Sequence, residues 1–270
     1  MANKEHLELL EKGVAVWNEW RQRDSGTNPD LRGASLRDLD LRQVNLNGAD
    51  LSGADIGGTD LSGAGMVYAN LCGVVRKPDA GGFTRTANFK GADLSRAALA
   101  EANLTGANLS QATLIGAELT GAMLSRTDLG RAELVGAILR CDLRCSNLSF
   151  ANLNGADLSR ADLRDARLNG ANLTGANLSH ANLGGSYWDD AMIGATILAD
   201  LDMIDARGLD AVKHLGPSSI GLDTRYKSSG RIPDEFLRKA GVPEDFLARL
   251  RPLIRQITRP SEGSKICQRP

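Results

Sequence analysis

Histidine and cysteine are scarce in this chain, and neither is placed for chemistry. The three histidines, His6, His180 and His214, stand far apart, and the four cysteines, at 72, 141, 145 and 267, form no CxxC pair. No Cys/His cluster has the spacing of a zinc site, so neither metal nor cofactor is expected. Free thiols fit a reducing cytosol. No run of about 18 apolar residues occurs, so no segment is expected to span a membrane. The opening MANKEHLELLEK is charged and lacks the apolar core of a signal peptide, and a cytoplasmic location is expected. Serines at outward positions, such as Ser95, Ser110 and Ser159, have no His and acid beside them as a nucleophile requires. With no acid, base, nucleophile or metal set assembled, the chain is not expected to be an enzyme.

Excess charge is also lacking. The net charge of −1 over 270 residues calls for neither nucleic acid nor an acidic partner. Its distribution is uneven. Residues 29–205 hold 15 Lys/Arg against 21 Asp/Glu, and residues 206–270 hold 13 against 7.

What the chain does have is Leu and Ala at a fixed period. From Phe89 through Leu94 to Leu139 every fifth residue is a large apolar one. Ala, or once Thr127, stands two residues before each. An amphipathic helix repeats every three or four residues and a half-buried strand every two. A period of five instead fits a chain that turns a corner once per unit, with Leu and Ala inward and three positions outward. The same period runs from Leu31 to Leu71 in nine units, with Leu39 and Val44 replacing Ala at two inward positions and loosening the first coil. After Leu139 the next centre, Leu143, comes four residues later, and the five-residue register then holds to Met203. Cys141 falls at an inward position and Cys145 at an outward corner. Trp188 and Tyr187 break the small, regular filling and are expected where the last coils widen.

The A(D/N)LxG unit resembles the pentapeptide-repeat family. That resemblance implies an all-β solenoid, a right-handed quadrilateral β-helix in which four units close one coil. The 33 units then make about eight coils and about 40 Å of rod, at the usual strand spacing. Rod ends expose a raw core and unpaired edges, so α-helical N- and C-terminal caps are expected. Residues 1–28 supply the first, as one helix over 3–23 and a linker. Gly13, in its apolar half, would allow close backbone approach. The same helix could instead serve a homodimer.

Residues 29–71 form the first repeat block, 72–86 an inserted loop, and 87–205 the remaining repeats. Residues 206–250 drop the repeat and form the C-terminal helical cap, with Pro233 and Pro243 each at a first helical position. Residues 251–270 are a basic tail, expected to be disordered. The C-terminal segment and HLELLEKGVAVWNEW resemble parts of bacterial pentapeptide-repeat proteins that carry a Toll/interleukin-receptor domain. That domain, with its NAD-cleaving activity, is not expected here.

Two outward features are candidate interaction surfaces. The loop carries Arg76, Lys77 and Arg85, and inserted loops on a repeat protein are often its binding face. A tolerated insertion is the alternative. Stacking by coils also puts Asp142, Asp162, Asn182 and Asp202 in one column. Such a ladder could bind a cation or imitate a phosphate backbone, or its members could simply cap turns. Two functions follow. One is a non-enzymatic scaffold for an unnamed protein partner. The other is a DNA mimic that binds DNA gyrase, as the quinolone-resistance members of the resembled family do. Direct nucleic-acid binding is not expected.

Overall fold

Residues twenty apart pair side by side. In the computed structural model, which describes residues 1–79, 81–82, 84–228 and 231–249, parallel bridges join Asp30 to Asp50, Ser35 to Asp55, Asp40 to Asp60 and Asn45 to Gly65. Four units therefore complete one turn of the chain, and the pattern continues to Tyr187↔Arg207. Each side is three residues long: an inner small residue, a bridging residue and a central Leu. Such sides are too short to form regular strands, so the sheets are ladders of single bridges.

The corner between sides takes two residues, and the second adopts left-handed backbone. Glycine fills it in Gly33, Gly53 and Gly116, but Arg96, Gln111 and Phe150 sit there too, at φ of 56°, 60° and 61°. A turn bond closes the corner, as from Ala117 N–H to the Leu114 carbonyl at 3.1 Å. The bridging Asp or Asn explains itself here. Its side-chain oxygen accepts from the first corner amide: Ser95 N to Asp93 Oδ1 at 3.0 Å, and Ser159 N to Asp157 Oδ1 at 3.0 Å. Asn also donates to Asp one coil away, as Asn70 Nδ2 does to Asp50 Oδ1 at 3.1 Å. Turn capping is thus the general use of these residues.

Centres from Leu31 to Met203 fill the interior, nearly all without solvent contact. Each buried Leu contributes roughly 1.5–3 kcal/mol. Ala fits the inner slot because little room remains. Where Thr takes it, the hydroxyl finds a carbonyl: Thr127 Oγ1 donates to Leu104 O at 2.9 Å and Thr59 Oγ1 to Leu36 O at 2.8 Å. Val44 is buried in such a slot, but Leu39 is 37 % exposed. The N-terminal helices bond the sides that carry Asp30 and Asn45, not the one that carries Leu39.

Those helices are two, not one: α1 (Lys4–Glu11) and α2 (Val14–Arg23). Gly13 breaks them with φ of 104°. A side chain there would meet nothing within 4 Å, so backbone freedom and not close approach accounts for the glycine. Together they satisfy two edges of the first coil. Asn3 N donates to Asp30 O at 3.0 Å, and Asp30 N to His6 Nδ1 at 3.0 Å. Trp17 Nε1 donates to Asn45 O at 2.8 Å, and Asn45 N to Asn18 Oδ1 at 2.8 Å. Arg21 reaches Asn47 O at 2.8 Å.

The segment 72–86 is only partly a loop. Val74 is buried and Val75 bridges Asp55, so one more side is built before the chain departs at Arg76. The next bridge, Asp60↔Asn88, spans 28 residues where 20 is the rule, which makes eight residues extra. Phe89, the next centre, is fully buried. Deleting 78–85 together with Thr86→Gly restores the five-residue step and supplies glycine at the left-handed corner. Calorimetry should show a melting temperature within a few degrees of the parent, since the ion pair lost, Arg85 with Asp38, is exposed. A variant that fails to fold would make the segment structural.

At the other end the coil continues past 205. Strands β1 (Met192–Ile193) and β3 (Lys213–His214) pair in parallel, as do β2 (Ile197–Leu198) and β4 (Ser219–Ile220). The spacing between bridging residues widens from five to six over 207, 213 and 219, one coil beyond the fully buried Trp188. Helix α3 (Leu222–Lys227) then lies over one side. Thr224 Oγ1 accepts from Leu201 N at 3.2 Å, and Ser228 Oγ accepts from Met203 N at 3.1 Å. Helix α4 (Asp234–Lys239) follows, with Pro233 as its N-cap, one residue earlier than expected, and Phe236 and Leu237 buried. Residues 244–249 are helical and bury Leu247. The tail 251–270 lies outside the described residues.

Candidate interaction surface

Asp142, Asp162, Asn182 and Asp202 do form one column, linked by successive bridges. Their chemistry is not that of a bare acidic ladder. Arg144 forks Asp142 through Nε at 2.8 Å and Nη2 at 2.7 Å, and Arg164 does the same to Asp162 at 2.9 and 2.6 Å. Hydrogen bonds from these guanidinium groups hold both carboxyls below the usual carboxylate range. Asp202 Oδ1 instead accepts from Ile204 N at 2.9 Å. The signal was present in the sequence as the triplet Asp-Leu-Arg, at 142–144 and 162–164, and also at 30–32 and 40–42. Each places an Arg at the first corner, beside its own bridging Asp.

The loop's three cations are dispersed. Arg85 pairs with Asp38 at 3.0 Å. Lys77 is held through its backbone, its N–H donating to the nearly buried Asp55 at 3.2 Å while its carbonyl accepts from Arg37. Arg76 is half-buried, and desolvation lowers its pKa. The loop base and the Asp142 column share one side of the rod, through Val75, Asn103 and Met123. This adjacency could not be read from the sequence, because it depends on how many residues the loop adds.

A third surface went unforeseen. On one corner the chain stacks Val67, Ser95, Ile115 and Val135 in consecutive coils, traced by the bonds Tyr68 N to Ser95 O, Arg96 N to Ile115 O and Gly116 N to Val135 O. Tyr68 is 60 % exposed and Ile115 42 %. Arg96 lies over the Tyr68 ring and bonds its hydroxyl at 2.6 Å. Beyond them the second corner position is Gly116, Gly136, Gly155 and Gly175, which leaves the strip flat. Apolar residues at outward positions of the repeat were the available signal.

Burial pushes the Cys141 thiol far above its ordinary range, and Cys145 is exposed on a corner. The His214 ring packs edge-on against Phe236. Among the described residues no helix is long and apolar enough to cross a membrane.

The family model described as pentapeptide repeats matches in eight copies, over residues 30–63, 40–75, 87–122, 102–140, 141–179 and 171–207. Among solved structures, the chain is similar to HetL, a pentapeptide repeat protein involved in heterocyst differentiation regulation in the cyanobacterium Nostoc sp. strain PCC 7120. Identity is 28 %, over 74 % of this chain and 92 % of HetL, at a TM-score of 0.30. It is also similar to trypsin-treated QnrB1, a plasmid-mediated fluoroquinolone resistance protein, at 20 % identity over 67 % of this chain and 89 % of that one, with a TM-score of 0.38. A pentapeptide repeat protein of the Arabidopsis thaliana thylakoid lumen shares 30 % identity over 37 % of this chain and 64 % of its own, at a TM-score of 0.18. No curated protein matches.

Proposed function

Because the chain belongs to the pentapeptide-repeat family, we propose that it acts as a non-enzymatic scaffold: a right-handed, four-sided rod of about eight coils, closed by helical caps, that binds a protein partner. The observation that carries this is the flat strip of Val67, Tyr68, Ile115 and Val135. Apolar side chains collected in register on a rigid, hydrogen-bonded surface are what a protein interface uses, and Tyr with Arg is typical of interface centres. The loop base stands on another side, with the Lys77 amide bonded to Asp55 and Arg85 paired with Asp38.

The gyrase alternative rests on the acidic column and is the weaker reading. A phosphate mimic must offer free carboxylates to a basic groove, and two of its three Asp are already forked by Arg. Replacing Asp142, Asp162 and Asp202 with Asn would leave Arg144 and Arg164 unpaired and turn the face basic.

The test compares the parent with Tyr68→Ser/Ile115→Ser/Val135→Ser. Cross-linking in the native lysate should give a defined adduct with the parent and none with the triple variant, at equal melting temperature. In a supercoiling-protection assay with gyrase, neither protein should have an effect. An identical adduct pattern from both proteins would remove the strip from consideration. Gyrase protection at sub-micromolar parent would reverse the choice of function.

A further inference from the structure

The residue missing between Leu139 and Leu143 dents the rod. In the regular units two residues turn each corner. Here Arg140 alone does so, and the Cys141 amide closes back on the Leu139 carbonyl at 2.8 Å. Cys141 is already the buried inner residue of the next side. The corners above keep full length, with Ser159 and Arg160 in one coil and Ser179 and His180 in the next. A recess of about 300 Å³ is lined by Arg140, Ser159, Arg160, Ser179 and His180.

This lining carries two guanidinium groups, an imidazole and two hydroxyls, and no carboxylate. Two of its members are aimed by acids outside it. Asp157 takes Nε of Arg140 at 2.8 Å and also Nη2, which leaves Nη1 without a bond among the described residues. Asp200 holds His180 Nδ1 at 2.6 Å and is itself held by Lys227 Nζ at 2.6 Å. Arg160, on the middle coil, has no ion pair among the described residues. Successive coils stand about 4.8 Å apart, so Arg160 is one step from each oriented neighbour.

The geometry points to a binding site for a single phosphoryl group, presented as free phosphate or as a small phosphomonoester. Guanidinium donors match phosphate oxygens, and Arg140 is already ordered, so little freedom is lost on binding. Donors on three levels suit a tetrahedral dianion with oxygens on every side. A planar carboxylate offers only two. An extended polyanion is disfavoured because Asp142, Asp157, Asp162 and Asp200 stand on the adjoining sides and corner.

Calorimetric titration of the full chain with phenyl phosphate, in a phosphate-free buffer, should show one site per chain. Arg160→Gln should weaken it about tenfold or more, as expected for one charge-assisted contact, with an unchanged melting curve. A glycine inserted after Arg140 restores the full corner and should remove binding while circular dichroism stays β-rich. Inorganic phosphate should compete with phenyl phosphate, and its affinity relative to the ester tells whether the free anion or an ester is preferred. Failure to compete would mean that the ring is what binds, and would overturn the assignment. So would benzoate binding as tightly, an oligonucleotide binding more tightly, or an Arg160→Gln protein that binds like the parent. Absence of binding at about 10 mM, weaker than any useful site, would do the same.

Discussion

Leu114→Arg is expected to unfold the middle of the rod, while Ser110→Arg, four residues earlier, leaves it intact. Leu114 has no solvent exposure and lies between other central Leu side chains. An Arg there has no carboxylate to meet and no route to water. Burying such a charge costs several kcal/mol or more, a large part of the stability of an ordinary domain. Because each coil rests on the next, the damage is not confined to one layer. Ser110 stands at a corner, where its hydroxyl bonds Asn108 Oδ1 at 2.6 Å. Its backbone bond to Asn108 at 3.1 Å survives substitution, so the loss should stay near 0.5 kcal/mol. Urea denaturation followed by circular dichroism separates the two. Coincident transitions would mean that inward and outward positions are wrongly assigned.

Trp17→Ala should have an effect of similar size for a different reason. Trp17 is fully buried, and its Nε1 donates to Asn45 O on the edge of the first coil. Truncating a buried Trp costs about 3–5 kcal/mol. It also uncovers an edge that can pair with another chain. Two readouts are therefore expected: a lower denaturation midpoint, and concentration-dependent association in sedimentation velocity. Trp17→Phe keeps most of the packing and loses the hydrogen bond, so it should cost closer to about 1 kcal/mol. A Trp17→Ala protein that melts like the parent and stays monomeric would show that α1 and α2 do not protect the rod end.

Much of the N-terminal helical segment was legible in its apolar stripe, yet its break was not. The stripe runs through Gly13 without interruption, and only the backbone at φ of 104° separates α1 from α2. The edge-satisfying roles of His6, Asn18 and Arg21 were equally hidden, since they depend on which bridging residues of the first coil lack a neighbour. The acidic column illustrates the opposite case. Its stacking follows from the five-residue period, but its charge does not, because the corner folds the Arg two residues after Asp142 and Asp162 back onto each carboxylate.

The sequence by itself determined the unit. Position within five residues decides inward or outward, because side and corner alternate with the same period. Leu and Ala at fixed places therefore dictate the core, and the Asp or Asn that precedes most of the central residues caps the turn. Only the tertiary structure decided which units become neighbours. Bridges span 20 residues in most of the rod, but 28 across the loop at Asp60↔Asn88 and 19 across the short corner at Met123↔Asp142. Each irregularity changes which distant residues stack across it. It sets the loop base on the same side as Asp142, and it cuts the recess beneath Arg160. The physical reason is that lateral bonding reads the accumulated length of the chain around the coil, a quantity no local pattern contains.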